Sequence, residues 1–399
     1  MPPPQKTKKL EQQQVKRSTM AAKQAENTSI VAVTSTPRVH ALPVELQQVI
    51  LNVFSIAFPI VQNTESLTQV IQEVKGHLFN RDFPSAFSQP SYLQAYALRW
   101  SAARALGYSQ ILTRPDRAYL LTTPSALPGK PCRDQLETQR NDPGRSVAGT
   151  QARVSDVSNA KKVVCLGGGA GAEIVALAAA HRHLDVKSAF GIIAVDSADW
   201  SDPVGKLSSA ISTAPTLSAR ASEAAKAKIE NRPLLEDSSK LTVSFIHQDV
   251  LTWDIESLRR TMENASLCTI MFTLNELFGA SLPKTTSFLL NLTSSMPTGS
   301  HLLVVDSPGS YSEIQLGKAS KVQDNVHEPE KPPTKKYPMK WLLDHTLLEL
   351  AGSGDDARWK KTESEDSLWF RIDQKERDKL RYPVELENMR YQLHLYQRI

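Results

Sequence analysis

Residues 163–173 read Val-Val-Cys-Leu-Gly-Gly-Gly-Ala-Gly-Ala-Glu. A short apolar run passes into a glycine-rich turn, and an alanine-rich stretch follows. This is the sequence of a buried strand, a tight turn and a helix. Glycine accepts backbone angles that a Cβ forbids. It also lets a ligand lie against bare backbone at a helix N-terminus. The phosphate loop G-x-x-x-x-G-K-[ST] is excluded, because no Lys follows the last glycine. A turn that holds no ligand is the plainer alternative. From residue 161 onward strands alternate with helices, the signature of an α/β fold with a parallel sheet. Strands are expected at 162–166, 190–196, 241–247, 267–274 and 301–306. Helices are expected at 172–181, 285–294 and about 339–350. Two strand-like runs, 367–372 and 389–398, close the chain.

The spacing of the glycines is ambiguous. Gly167-x-Gly169-x-Gly171 fits an S-adenosylmethionine loop, whereas Gly167-x-Gly169-x-x-Ala172 fits the dinucleotide form. Asp196 ends the second strand, where an acid accepts hydrogen bonds from a ribose diol in either class. Asp249 follows the third strand, where methyltransferases commonly place an acid or amide facing the adenine amino group. A helix N-cap is its plainer reading. The terminal strand pair suits the antiparallel closure of a seven-stranded methyltransferase sheet. A nicotinamide enzyme of this length more often carries a substrate domain after the glycine fold. The balance therefore favours S-adenosylmethionine.

Before the glycine loop, residues 41–121 read as a helical module. Val44 to Phe58 is apolar nearly all round and is expected as a buried helix. Leu67, Val70, Ile71, Val74 and Leu78 recur at helical spacing. A third helix is expected to start at Pro90, which suits a first turn, and to stop before Gly107. Residues 1–40 read as a disordered basic tail, 122–160 as a linker, 161–399 as the cofactor domain and 318–338 as a flexible loop within it. Charge follows this division. The tail holds seven basic and two acidic residues, and 81–153 holds ten basic, nine of them Arg, against five acidic. No apolar run is long enough to span a membrane. Three cysteines without a C-x-x-C pair and scattered histidines point to no metal site.

The strings VVCLGGGAGAE, AVDSADW, TIMFTLNELF and LLVVDSPGSYS, with PSYLQAYALRWSAARALGYSQIL and YPVELENMRYQLHLYQRI, resemble the fungal 25S rRNA (uridine-N3)-methyltransferase family. FTLNELF and SYLQAYALRW are the specific parts. The resemblance covers roughly 44–120 and 160–399. It implies a Rossmann-like seven-stranded class I methyltransferase fold, S-adenosyl-L-methionine as donor and a uridine of large-subunit rRNA or a pre-ribosomal particle as acceptor. Action in the nucleus or nucleolus, or also in the cytoplasm, is implied with it. By motif position it makes Gly167, Gly169, Gly171 and Asp196 cofactor residues. One departure stands out: Cys165 occupies the place, two residues before the first glycine, where such loops often carry an acid.

Methyl transfer from a sulfonium needs positioning above all. An acceptor N3 must also lose its imide proton. The loop after the fourth strand is the place to look. There Asn275 is a candidate to hydrogen-bond a base, and Glu276 is a candidate proton acceptor if it is buried. Phe272 or Phe278 is a candidate stacking surface, with Phe272 reading more as core. Asp306 is a lesser candidate. RNA contact is assigned to Arg99, Arg104, Arg114 and Arg117 among Tyr92, Tyr96, Trp100, Tyr108 and Tyr119, with Arg133, Arg140, Arg145 and Arg153 adding to it. The alternative is a helix with its aromatics inward and its arginines solvated. Other readings left open are a methyltransferase for a protein or small molecule, and a non-catalytic assembly factor on the same fold.

Overall fold

Runs of Val, Ile and Leu without alternation belong to strands buried on both faces, and they build the centre of the sheet. The structure is a computed structural model that describes residues 42–59, 64–122, 160–309, 311–315 and 334–399. The expected tail, Arg133, Arg140, Arg145 and Arg153 of the linker, and most of the 318–338 loop lie outside these residues.

The described chain begins with helices α1 (Val44–Ala57), α2 (Thr64–Phe79), α3 (Phe83–Ala86), α4 (Pro90–Tyr96), α5 (Ala102–Leu112) and α6 (Tyr119–Thr122). The α/β part then runs β1 (Lys161–Leu166), α7 (Ala172–His183), β2 (Phe190–Asp196), α8 (Ser201–Ile211), β3 (Leu241–His247), α9 (Ile255–Met262), β4 (Ala265–Met271), α10 (Leu274–Ala280), α11 (Leu282–Ser295) and β5 (His301–Asp306). After it come β6 (Tyr311–Gln315), β7 (Thr334–Pro338), α12 (Met339–Asp344), β8 (Trp359–Phe370) and β9 (Met389–Arg398). The main sheet has the order β3-β2-β1-β4-β5-β9-β8. Strands β1 to β5 are parallel. Strand β9 runs antiparallel to β5 and to β8. This is the seven-stranded class I methyltransferase topology that the sequence led us to expect, closed by its antiparallel pair.

The two faces of the sheet carry separate cores. Val163, Cys165, Ile192 and Leu303 face α1, α5, α7 and α8. Val164, Leu166, Ile270 and Val304 face α9, α10, α11 and α12. The N-terminal helices thus form one layer of the fold, and Leu42–Ile399 is one compact unit. In α1, Leu46, Val49, Ile50, Val53 and Phe54 are buried. Gln48 fastens that helix to the C-terminal segment, accepting from the Arg381 amide at 2.7 Å and donating to its carbonyl at 3.0 Å.

Expectations change at several points. β4 is Ala265–Met271 rather than 267–274, and β8 is Trp359–Phe370 rather than 367–372. The third helix does not stop before Gly107. It passes from α4 through a π turn, Ala97–Ser101, into α5 and ends at Leu112. Gly107 is inside it because a Cβ there would fall 2.6 Å from Met389 Cε and 3.2 Å from the Phe370 ring. The glycine serves close packing of α5 on β8 and β9. Within the expected 318–338 loop, 334–338 is a strand paired with β6. The strands read YSEIQ and TKKYP, with no sustained apolar alternation to mark them.

Candidate active site

The β1–α7 turn is built by two glycines with positive φ, Gly167 at 80° and Gly171 at 82°. A Cβ on Gly167 would fall 2.1 Å from Thr273 Oγ1, and one on Gly171 would fall 2.1 Å from Leu207. Both left-handed angle and crowding require glycine there. Gly169 plays a different part. Its absent side chain would strike Trp200 and Asp196, at 2.3 and 2.7 Å. It lets the loop fold onto the end of β2, where its amide donates to Asp196 Oδ2 at 3.1 Å.

Above the turn lies a cavity of about 330 Å³. Gly167, Gly168, Gly171 and Glu173 form its floor, with Asp196 and Asp249 to one side and Phe272, Thr273 and Glu276 to the other. Its roof comes from the N-terminal helices: Leu78, Phe83, Phe87, Tyr96, Ser101, Arg104 and Tyr108. The cavity stands at the carboxyl ends of the parallel strands, where ligands bind in open α/β sheets.

Acids surround the floor. Glu173 is 3% exposed. Burial pushes its carboxyl up to about 8, against the pull of a hydrogen bond from Thr269; nearby Asp196 adds to the rise and Arg104 opposes it. It stands beside the buried Cys165 thiol. A carboxyl therefore reaches this spot from the helix rather than from β1, and Cys165 does not leave the loop without an acid. Burial also raises Asp196 to about 6, although the Gly169 and Ala198 amides both donate to it. Asp249 faces the cavity and also accepts from the Leu251 amide at 2.9 Å, so the turn-capping and ligand-facing readings coexist.

An adenosyl-methionine fits this chemistry. Asp196 would take a ribose diol, the Gln248–Leu251 segment an adenine edge, and Glu173 with the glycine backbone a methionine part. Two buried polar atoms on the cavity wall, Ser101 Oγ and Trp200 Nε1, have no hydrogen-bond partner. Trp200 Nε1 approaches the Asp196 carboxylate without the geometry of a hydrogen bond. Such orphan donors suit a polar ligand.

The acceptor side is redrawn. Asn275 donates its amide N–H to Asp306 Oδ2 at 3.0 Å and its side-chain amide to Oδ1. It is thereby held by Asp306, outside the cavity wall, and pins α10 to β5. Its backbone N–H and side-chain NH2 are thus engaged by Asp306. Asp306 is buried, and burial raises it to about 6 despite those hydrogen bonds. Glu276 does face the cavity, but at its mouth, with its side chain 38% exposed and 3.5 Å from Arg81. Phe278 is core, whereas Phe272 is half-buried and lines the cavity. Phe272 also has a left-handed φ of 56°, a strained value of the kind found at functional sites.

The expected RNA-contacting residues separate sharply. Arg104 points into the cavity, its guanidinium 4.9 Å from the Phe272 ring and donating to Tyr96 Oη at 2.7 Å. Tyr96 packs against Phe87, Trp100 and Trp200. The π turn sets this register: Tyr96 and Ser101 are five residues apart across it, and Arg104 and Tyr108 continue the same face. Arg117 is fully buried and bidentate to Glu363, so it reaches no RNA phosphate. Arg99 pairs with Glu387 and donates to the Glu385 carbonyl at 2.8 Å, leaving 14% of its side chain exposed. Arg114 chelates Asp116. Opposite charges far along the chain claim two of these arginines, which spacing does not reveal. Among the described residues no group of three His, Cys, Asp or Glu side chains is placed to hold a metal, and no helix is long and apolar enough to cross a membrane.

Known proteins match this arrangement. The family model described as putative SAM-dependent methyltransferase matches residues 54–397. The 25S rRNA (uridine(2843)-N(3))-methyltransferase of Saccharomyces cerevisiae is 30% identical over 377 residues, covering 88% of this chain and 85% of its own. Solved structures that overlap include the antibiotic-resistance methyltransferase Kmr, at 17% identity and a TM-score of 0.29 over 60% of this chain and 88% of that one. TrmN from Thermus thermophilus overlaps at 11% identity and a TM-score of 0.29, over 60% and 44%. The fold assignment rests on the strand order rather than on these overlaps. By the family match and the yeast relative together, the chain belongs to this family of S-adenosylmethionine-dependent methyltransferases.

Proposed function

We propose that the protein methylates N3 of a uridine in large-subunit (25S) rRNA. The match to the yeast uridine-N3 enzyme over 88% of the chain carries this reading. The cavity supports it, since donor-site glycines and an acceptor-side aromatic and cation share one space. S-adenosylmethionine, when bound, supplies a methyl group on a sulfonium, a good leaving group.

The chain's own residues then have the task of presenting an imide nitrogen. A uridine must leave its stack to enter. Phe272 offers a ring at the wall and Arg104 a charge above it. A fixed cation in a dry site favours the imide anion over the neutral base. Glu276, at the mouth and not buried, is our candidate to receive the N3 proton on its way to solvent. Asn275 and Asp306 are positioning residues that hold the loop carrying Phe272 and Glu276. The same reading places the protein in the nucleus or nucleolus, with a pre-ribosomal particle as substrate.

Mass-spectrometric nucleoside analysis of large-subunit rRNA from a strain lacking this gene tests the proposal. One N3-methyluridine is expected to disappear and to return when the wild-type gene is restored. An unchanged N3-methyluridine content overturns the substrate assignment.

A further inference from the structure

The turn between α2 and α3 stands on the rim of the cavity, and it presents two largely exposed side chains. Leu78 just before it and Phe83 just after it both line the cavity. Between them Phe79 is 86% exposed, the most exposed large apolar side chain among the described residues. Arg81 is 66% exposed, with Nη1 3.5 Å from Glu276 across the mouth and 3.1 Å from where a Cβ on Gly279 would stand. The turn is fixed at both ends. The Arg81 amide donates to the Leu78 carbonyl at 3.1 Å, the Asp82 amide to the His77 carbonyl at 2.9 Å, and the Ser85 amide to Asp82 Oδ1 at 3.2 Å. Arg81 itself holds a left-handed φ of 56°, which non-glycine residues adopt only at some cost.

An aromatic ring held in solvent and a guanidinium beside it match a strand of unpaired RNA. The Arg81–Glu276 pair is exposed, and such pairs contribute little. A phosphate therefore competes readily for Arg81. When a base enters the cavity, its neighbour in the strand loses a stacking partner. A flat apolar ring on the rim replaces that partner. We propose that Phe79 and Arg81 clamp the RNA beside the target nucleotide, Phe79 stacking on the adjacent base and Arg81 binding the adjoining phosphate. This rests on the RNA reading given above. A second exposed aromatic, Trp369, carries Arg371 at 4.7 Å and Arg390 at 5.7 Å over its ring, but it stands on the β8–β9 pair, away from the lining of the cavity, and serves as the comparison.

The test uses the full chain and 25S rRNA extracted from a strain lacking the gene. Methylation kinetics are measured over a range of salt, with S-adenosylhomocysteine affinity on the same samples as a measure of an intact donor site. Phe79→Ala is expected to raise KM for RNA about tenfold, with Phe79→Trp restoring it. Arg81→Ala is expected to lower the slope of log affinity against log salt by about one, with Arg81→Lys retaining it. Donor affinity should stay unchanged in all of them. If the wild-type chain methylates this RNA but Phe79→Ala and Arg81→Ala match it in KM and salt slope, the clamp is wrong and the substrate assignment stands. If Trp369→Ala raises KM and Phe79→Ala does not, the strand runs over the sheet edge and the clamp is again wrong. If the wild type acts only on pre-ribosomal particles from that strain, the same comparisons are read on them; if it transfers no methyl to either substrate, both fall together.

Discussion

Glu173 shows how a departure in one motif is answered from another element. Cys165 takes the position on β1 where an acid is common, and a buried carboxyl arrives from the first turn of α7. Its folded value of about 8 lies above the unfolded 4.5, as Asp196 and Asp306, at about 6, lie above 3.8. For such groups the stabilisation of the neutral form is full below the unfolded value and is lost as pH rises through the folded one. The ligand-free protein should therefore lose thermal stability from about pH 4 to about pH 8, by up to roughly 1.4 kcal/mol per pH unit for each titrating acid. Scanning fluorimetry across that range should find Glu173→Gln flatter between about pH 6 and about pH 8. The same variant should bind S-adenosylhomocysteine weaker by roughly tenfold or more, yet bind methylthioadenosine, which lacks the amino acid, as the wild type does. Arg104→Met keeps the stem and removes the charge. It should lower kcat on the order of a hundredfold while leaving donor affinity near that of the wild type in a direct binding assay. Residue roles were only partly legible. Gly167, Gly171 and Asp196 declare themselves through the strand-turn-helix pattern. Arg117 does not, because its partner Glu363 lies 246 positions away.

Elements fared according to how strongly their burial writes itself into the sequence. Strands β1, β2, β4 and β5 lie inside the sheet, are largely buried and read as apolar runs, whereas β3, at the sheet edge, alternates apolar and polar residues and is not buried. Strands β6 and β7 pair in a separate ribbon and carry no such mark. The π turn in the third helix is invisible to a search for 3.6-residue spacing, yet it decides which side chains roof the cavity. Gly107 and Gly76 give a paired test, since both lie inside helices. Gly107→Val has to displace Met389 and Phe370 and should cost about 1–3 kcal/mol. Gly76→Ala meets nothing within 4 Å and should gain about 0.5–1 kcal/mol. Urea melts of the two variants check both signs.

Across the whole molecule, part of the basic excess before the glycine loop is used to hold the fold together. Residues 81–153 hold a basic excess, but Arg99 is spent on Glu387, just before β9, and Arg117 on Glu363 of β8. They join the first part of the chain to the last. Replacing Arg117 by Ala should lower stability by roughly 3 kcal/mol and leave the salt dependence of RNA binding untouched. A loss of salt slope in that variant, measured at a temperature where it is folded, contradicts the placement. The cavity, too, is a property of the whole chain, since its roof comes from residues 78–108 and its floor from residues 167–280.

The place of β9 governs the order in which this molecule is able to assemble. β8 emerges first, but β9 lies between it and β5. Until Met389–Arg398 is made, β5 has an open edge and the twelve residues of β8 have no strand to join. Asp306 must wait for Gln392 to be paired. A chain whose synthesis halts before that point exposes the edge of β5 and leaves β8 unpaired. Such a product is prone to aggregate rather than to persist as a weakened enzyme, so interrupted translation costs the cell the whole molecule.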